Sequence, residues 1–256
     1  GIVNKAWVAL DDELDAWASA RLDATFWWRD DDARQATPNL ERLLVIAAES
    51  DTPLALAVIP QPAKKSLAEA VRGTDVAVLQ HGYGHRNHAP VGEKKSELGD
   101  HRPPDQAFAE LREGQDTLRQ LFPSLLPGIM VPPWNRIAPA VTAALPGAGF
   151  HGLSTHGRRA AARTHDDLAI INVHIDIIDW PGSRGFIGLE NAIGQATEHL
   201  RARRAGTADA EEPTGLMTHH LDHDEAAWDF VTAFLWRTLA HPAARWLDAR
   251  DLFTVE

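Results

Sequence analysis

The sequence predicts an α/β fold in which parallel strands and helices alternate around a barrel. Three observations carry this. Seven short apolar runs alternate with amphipathic segments along the chain. The runs are apolar at nearly every position, which requires burial on both faces and hence a parallel sheet covered by helices. No run leads through a glycine-rich phosphate loop into a helix, and G-K-[ST] is absent. That favours a barrel over an open dinucleotide-binding sheet. The chain has 256 residues, and α/β barrels often reach this length as one domain, so a single domain over 1–256 is expected.

The elements follow in order. "AWVALDDELDAWASARL" (6–22) has the period of an amphipathic helix, and "ATFWWR" (24–29) reads as the first strand. "TPNLERLLVIAAES" (37–50) is a helix with Thr37 as N-cap and Pro38 in its first turn. "PLALAVIP" (53–60) is a buried strand, "KKSLAEAVRG" (64–73) a helix closed by Gly73, and "DVAVLQ" (75–80) a strand. A long helix (104–122), a strand "GIMVP" (128–132) and a short helix (138–149) come next. "HGLST" (151–155) and "LAIINVHIDII" (168–178) are strands, followed by a helix over 189–204. The polar stretch 203–215 reads as a loop into the strand "TGLMTHH" (214–220), and 224–240 is the last long helix.

Composition removes several functions. The net charge of -11 argues against a nucleic-acid binder, which presents a basic face. No segment reaches the roughly 18 consecutive apolar residues of a membrane span. There is no cysteine, so thiol chemistry is excluded and a metal would have to be held by His, Asp or Glu. The N-terminus as given lacks the pattern of a signal peptide, and a cytoplasmic location is expected.

The chemistry-bearing residues gather where strands end. Asp30, Asp31 and Asp32 follow the first strand, and His81 and His85 follow the third. "PPWNR" (132–136) follows the fourth, Asp176, Asp179 and Trp180 close the sixth, and His219 and His220 close the seventh. In a barrel all of these reach the C-terminal mouth, where active sites are built. Three adjacent acids cannot be buried without a compensating positive charge. An isolated H-x-x-x-H is most often a solvated loop, but beside a strand-end acid it offers two His and a carboxylate to a divalent ion. Tryptophan is more often core than ligand platform; Trp134 and Trp180 are expected in the cleft because they sit beside the motif positions.

These motifs, in this order, resemble those of the polysaccharide deacetylase superfamily, carbohydrate esterase family 4. The resemblance covers most of the chain and implies a distorted (β/α) barrel with seven or eight parallel strands. Asp31 and Asp32 of "DDA" match an Asp-Asp-Gly motif, which implies Asp31 as catalytic base and Asp32 as metal ligand, with Asp30 an extra residue. "HGYGH" matches a His-(Ser/Thr)-x-x-His metal pair, with Gly82 in place of the hydroxyl residue. "VPPWN" matches Arg-Pro-Pro-Tyr-Gly, with Val131 in place of an arginine that holds the base; Arg29 and Arg136 are candidates to take over. Asp176, Asp179 and Trp180 match Asp-x-x-Asp-Trp, and "LMTH" matches Leu-x-x-His, with His219 as general acid and His220 beside it as the alternative.

The resemblance implies a metal-dependent hydrolase that removes an acetyl or similar acyl group from an N- or O-acylated saccharide. One divalent ion is expected on Asp32, His81 and His85, zinc first, with cobalt, nickel, manganese and iron(II) as alternatives. Asp176 is expected to orient His219 and raise its pKa. Trp134, Arg136, Trp180 and His88 are expected to touch substrate. A small-molecule amidohydrolase acting on a cyclic amide or ureide is the second reading. A non-catalytic carbohydrate-binding relic, prompted by Val131, is the third.

Overall fold

The computed structural model describes residues 4–254. Helix α1 (Lys5–Ser19) leads into β1 (Ala24–Ala33), α2 (Pro38–Ser50), β2 (Ala55–Val58), α3 (Lys65–Val71) and β3 (Ala77–Gln80). Then come α4 (Pro104–Leu121), β4 (Leu125–Met130), α5 (Pro139–Ala144), β5 (Gly152–Leu153), β6 (Ala169–Ile170) and β7 (Ile175–Asp176). The chain continues through α6 (Leu189–Ala205), β8 (Thr214–Thr218), α7 (Glu225–Leu239), β9 (Ala244–Trp246) and α8 (Ala249–Leu252).

Eight strands run in the order β6-β5-β4-β3-β2-β1-β8-β7, and every pairing is parallel. The two outer strands, β6 and β7, belong to one stretch of chain. Residues 171–174 therefore join the two edges, and the curled sheet is a distorted barrel, as predicted. The strand expected over 168–178 is split there because its backbone bonds elsewhere. Asn172 N–H donates to the Glu212 carboxylate, and His174 N–H to the carbonyl of Gly215. β9 was not expected from the sequence. It lies beside Ala24–Phe26, on the edge of β1 that β2 occupies further along.

The helix termini follow local chemistry. Thr37 caps α2 by accepting from Leu40 N–H, and Asp224 caps α7 by accepting from Ala227 N–H. The letters G-x-G-x-x-G do occur once, at Gly147, Gly149 and Gly152. They lead into β5 instead of following a strand, so they form no dinucleotide loop.

Alternation along β1 places its residues in two different cores. Phe26 and Trp28 face the helices, with Leu56, Val58 and Phe234. Trp27 faces the barrel interior, with Ala55, Ala57, Ala77, Ile129 and Val131. The small alanines of β2 and β3 leave room there for a tryptophan and, one step further along, for Arg29. Such an interior is a packed core and not a pore.

The stretch 203–215, read as a polar loop, holds a buried acid. Glu212 accepts from Arg159 N–H and Asn172 N–H and from His174 Nε2, at 3.1, 3.1 and 2.9 Å. Its carboxylate ties the segment that closes the barrel to the approach to β8. His199 lies next to it, its ring stacked 3.5 Å from that of His174. Burial lowers the pKa of His199 to about 2, so this ring is neutral. The trio has metal-ligating residue types, but the hydrogen bonds oppose a metal. His174 Nδ1 accepts from Gly215 N–H, so a neutral His174 carries its hydrogen on Nε2, the atom that faces Glu212. Replacing Glu212 by alanine should destabilise the fold by several kcal/mol, on the order of 1–3 kcal/mol for each buried donor left unpaired. Chemical denaturation measures this, and the metal content should not change. A small stability loss, or loss of a stoichiometric ion, would overturn the structural role.

Candidate active site and metal centre

The strand was expected to end at Arg29, but β1 continues through the acidic run to Ala33. In regular strand geometry, adjacent carboxylates would point to opposite faces. The register solves this. Asp31 pairs with Ala57 and Ala33 with Val58, which leaves Asp32 unpaired in a bulge. Its φ is 76°, in the left-handed region that an aspartate tolerates better than most residues. A bulge of this kind re-aims a side chain, and here it turns Asp32 toward the mouth.

Each acid thus has its own surroundings. Asp30 points outward and is fully buried. It accepts from Thr218 Oγ1 at 2.6 Å, from His220 N–H at 3.0 Å, and from His220 Nδ1. This clasp joins β1 to the end of β8. It occupies His220, which leaves His219 to face the cleft. Asp31 points inward and is 2% exposed. Arg29, two residues earlier on the same face, meets it with two parallel bonds, Nε to Oδ1 and Nη2 to Oδ2, both 2.9 Å. A bidentate guanidinium is the strongest partner available to a buried carboxylate. Arg29 is held in turn by the Ser154 hydroxyl at 2.7 Å and by Asn135 Oδ1 at 2.7 Å. Burial pushes the Asp31 carboxyl up, but Arg29, His81 and His219 together outweigh it and hold the pKa below the usual carboxylate value.

Of the two arginines, it is Arg29 that holds Asp31. Arg136 lines the cleft and donates to the carbonyl of Lys95. Val131 serves through its backbone, since its carbonyl accepts from His81 Nδ1 at 2.8 Å. A carbonyl can only accept, so Nδ1 carries the hydrogen, and in the neutral ring Nε2 is left with a lone pair. That lone pair faces Asp32 Oδ1 at 3.0 Å, and His85 Nε2 lies 3.2 Å from the same oxygen. Acceptors converging on one point repel unless a cation or proton lies between them. Burial disfavours charge on His81, yet the hydrogen bond its charged form donates to Asp32 and the charges of both aspartates raise its pKa. Asp32 is held well below the carboxylate range, burial being outweighed by its bonds to His81 and His85. One carboxylate and two imidazoles with open positions fit a divalent ion of the hydrolytic kind, and the backbone carbonyl behind His81 is the expected outer support.

The loop carrying the two histidines is organised by a residue the sequence reading did not single out. Glu97 is 2% exposed and accepts from the backbone N–H groups of Tyr83, Gly84 and Arg86, at 2.8, 3.1 and 2.8 Å. Gly82 has φ 60°, and a Cβ there would run into Glu97 and lie 2.6 Å from Pro133. This accounts for glycine where the family resemblance expects a hydroxyl residue. Asp32, His85, Trp134 and Asn135 are non-glycine residues with positive φ in the same few ångströms, the local strain that functional sites often carry.

The mouth is a cleft of about 710 Å³ lined by Asp31, Asp32, His81, His85, Trp134, Arg136, Asp176, Trp180 and His219, and by Lys95, Asn135, His156, Arg184, Met217 and Asp222. His219 Nε2 lies 3.8 Å from Asp31 Oδ2. Two expectations need correction. His88 is not among the lining residues; it sits on a side loop where its N–H donates to the carbonyl of Ser96. Asp176 does not hydrogen-bond His219. Its carboxylate accepts from Ile178 N–H at 3.2 Å and Trp180 Nε1 at 3.1 Å, and the Trp180 ring stands edge-on to His219 with centroids 4.8 Å apart. Asp176 reaches the histidine only through the indole. Of the residues passed over, His156 lines the rim, and Asn135, inside the quoted "VPPWN", holds Arg29. Glu97 gave no signal, because a lone acid in a loop has no diagnostic spacing.

No family model matches the chain, and no curated protein matches it. Solved structures do. The chain is similar to a family 4 acetyl xylan esterase from Clostridium thermocellum in complex with a cobalt ion, with TM-score 0.52 and 13% identity over 89% of this chain and 90% of that one. It is similar to a family 4 carbohydrate esterase from Streptomyces lividans in complex with acetate, with TM-score 0.53 and 15% identity over 87% and 90%. A family 4 pseudoenzyme from Bacillus anthracis matches with TM-score 0.54 and 12% identity over 91% of this chain and 66% of that one. The fold is that of the family 4 carbohydrate esterases. Among the described residues, no helix is long and apolar enough to cross a membrane.

The geometry makes Asp32 and His81 testable as metal donors. Asp32→Asn and His81→Ala should each lose stoichiometric metal by elemental analysis. Glu97→Gln should weaken zinc affinity about tenfold or more, since an amide places N–H against N–H where the carboxylate accepted. Full metal retention in Asp32→Asn and His81→Ala would refute the ligand assignment.

Proposed function

We propose that the protein is a divergent carbohydrate esterase of family 4, a metal-dependent hydrolase that removes an acetyl group from an N- or O-acetylated saccharide. The observation that carries this is the Arg29–Asp31 ion pair, placed between the Asp32–His81–His85 donor set and His219. A divalent ion on those three donors supplies Lewis acidity toward water and the acyl carbonyl.

The chain's own residues do the rest. Asp31 is a carboxylate near neutrality and accepts a proton from the attacking water. His219, protonated on Nε2, donates that proton to the leaving nitrogen or oxygen as the C–N or C–O bond breaks. An amine needs this donation because its anion is a poor leaving group. The cycle ends with Asp31 protonated and His219 neutral, and one proton passing from Asp31 to His219, whose Nε2 lies 3.8 Å from Oδ2, resets the pair. Asp176 fixes the Trp180 indole, which confines the His219 ring. Trp134, with its ring 4.3 Å from that of His85, offers an apolar face for a sugar.

The relic reading rested on Val131. Arg29 supplies the missing guanidinium from another strand, and base and acid stand within reach of each other, which a binding protein does not need. A small cyclic amide remains the second reading, favoured by a cleft volume within the roughly 300–1,000 Å³ usual for small ligands.

Acetate release from acetylated oligosaccharides, measured with added zinc or cobalt beside cyclic amides and ureides, tests the proposal. Release from the saccharides is expected; opening of the cyclic substrates alone would transfer the assignment to the second reading. Asp31→Asn should keep its metal and lose about 10²- to 10⁴-fold in turnover, the usual worth of a general base. His219→Ala should also keep its metal, and should slow amides more than activated esters. A mutant that loses metal with Asp31 would show that the roles of the two aspartates are exchanged.

Arg29→Met removes the opposing charge nearest Asp31, so the carboxyl pKa should rise. The acid limb of the kcat/KM profile should then move to higher pH. An acid limb that stays in place would remove Arg29 from the base's support.

A further inference from the structure

One wall of the cleft carries positive charge that no carboxylate among the described residues pairs with. Lys95 and Arg136 both line the cleft beside Trp134. Arg136 is half-buried, and its Nη1 donates to the carbonyl of Lys95 at 2.7 Å, which anchors the guanidinium and leaves its other donors free. Three acids of the neighbouring segments are engaged elsewhere. Glu93 pairs with His101 at 2.8 Å, Glu110 pairs with Arg102 at 2.8 Å, and Glu97 is saturated by three backbone N–H groups. The opposite wall differs. Arg184 lies 5.4 Å over the Trp180 ring, and Asp222 on the same side is close enough to feel its charge. Lys95 and Arg136 are the lining cations that are joined to each other, with no carboxylate partner among the described residues.

The chain as a whole carries -11. Its general field repels anions, so a local pair of free cations at the mouth acts against that background. Within the floor of the cleft, Asp31 is neutralised by Arg29 and Asp176 is bound by two N–H donors. Neither competes for the two rim cations.

We propose that the substrate carries a carboxylate, held by Arg136 and Lys95 while its acyl group is presented at Asp31 and His219. The substrate class is an acylated saccharide with an acidic substituent, not a neutral one. This rests on the hydrolase reading above. Arg136 gives a carboxylate charge-assisted bonds from a pre-organised fork, and Lys95 adds a flexible ammonium that closes over it.

The test uses two tetrasaccharides with the same scissile acetamide. One is a tetramer of N-acetylglucosamine. The other alternates N-acetylglucosamine with N-acetylmuramic acid, whose lactyl ether at O3 carries a carboxylate. KM is read from acetate release by the zinc-loaded protein, and Kd is read by calorimetry, both at low salt. The acidic tetrasaccharide should show KM and Kd about tenfold lower, the worth of one charge-assisted bond at a partly exposed site. That ratio should shrink toward one in Lys95→Gln and Arg136→Gln, and in the wild type as salt screens the pair. Equal Kd for the two sugars, or a preference that survives both substitutions, overturns the proposal. If neither sugar is hydrolysed but the Kd preference holds and depends on both residues, the hydrolase reading falls and the carboxylate site stands. If neither sugar binds, the carboxylate site falls.

Discussion

Everything at the mouth of this barrel depends on the ion pair between Arg29 and Asp31. Both side chains are essentially without solvent. Either charge alone at that depth would be untenable, and removing one partner of such a pair typically costs about 3–5 kcal/mol. Two residues apart on one strand, they share the inward face without any help from the loops. The pair keeps Asp31 ionised where burial alone would neutralise it. It also fixes the arginine fork against Ser154 and Asn135, so that β5 and the turn after β4 are tied to β1 at the level where chemistry would occur.

The three adjacent aspartates are sorted by backbone geometry. Asp30 obeys the alternation of the strand and goes outward, where His220 and Thr218 take up its charge. Asp31 obeys it and goes inward to Arg29. Asp32 should then go outward again, and a bulge with left-handed backbone prevents it. One unpaired residue is enough to bring a third carboxylate into the mouth without placing two unneutralised charges side by side. The same logic runs through the loop of His81 and His85. Its sharp path requires glycine at Gly82, and its free N–H groups converge on Glu97, so a buried carboxylate stands in for the strand partners the loop lacks.

The fold was legible because parallel strands are buried on both faces and leave uninterrupted apolar runs. β6, β7 and β9 were less legible, being two or three residues long and defined by pairing with distant segments. The segment 203–215 misled for a different reason. Its polar composition suggested solvent, yet Glu212 is buried because three donors from elsewhere in the chain converge on it. At the site, the ordered motifs gave Asp31, Asp32, His81, His85 and His219 as candidates, and the structure brings all five together. His88 was drawn in by proximity in sequence alone. The link from Asp176 to His219 was expected as a direct bond, but Trp180 takes the acceptor first. Arg136 was expected beside the substrate and does line the cleft, whereas Glu97 and Lys95 depend on where loops fold back, which local spacing does not encode.

The central claim is that the bulge divides the work, with Asp32 holding the ion and Asp31 kept off it by Arg29. Anomalous diffraction at the zinc absorption edge from zinc-loaded crystals tests this most directly. The account predicts one strong peak among Asp32 Oδ1, His81 Nε2 and His85 Nε2, with both oxygens of Asp31 still on Arg29. A peak coordinated by Asp31, or one seated only among His174, His199 and Glu212, would contradict it.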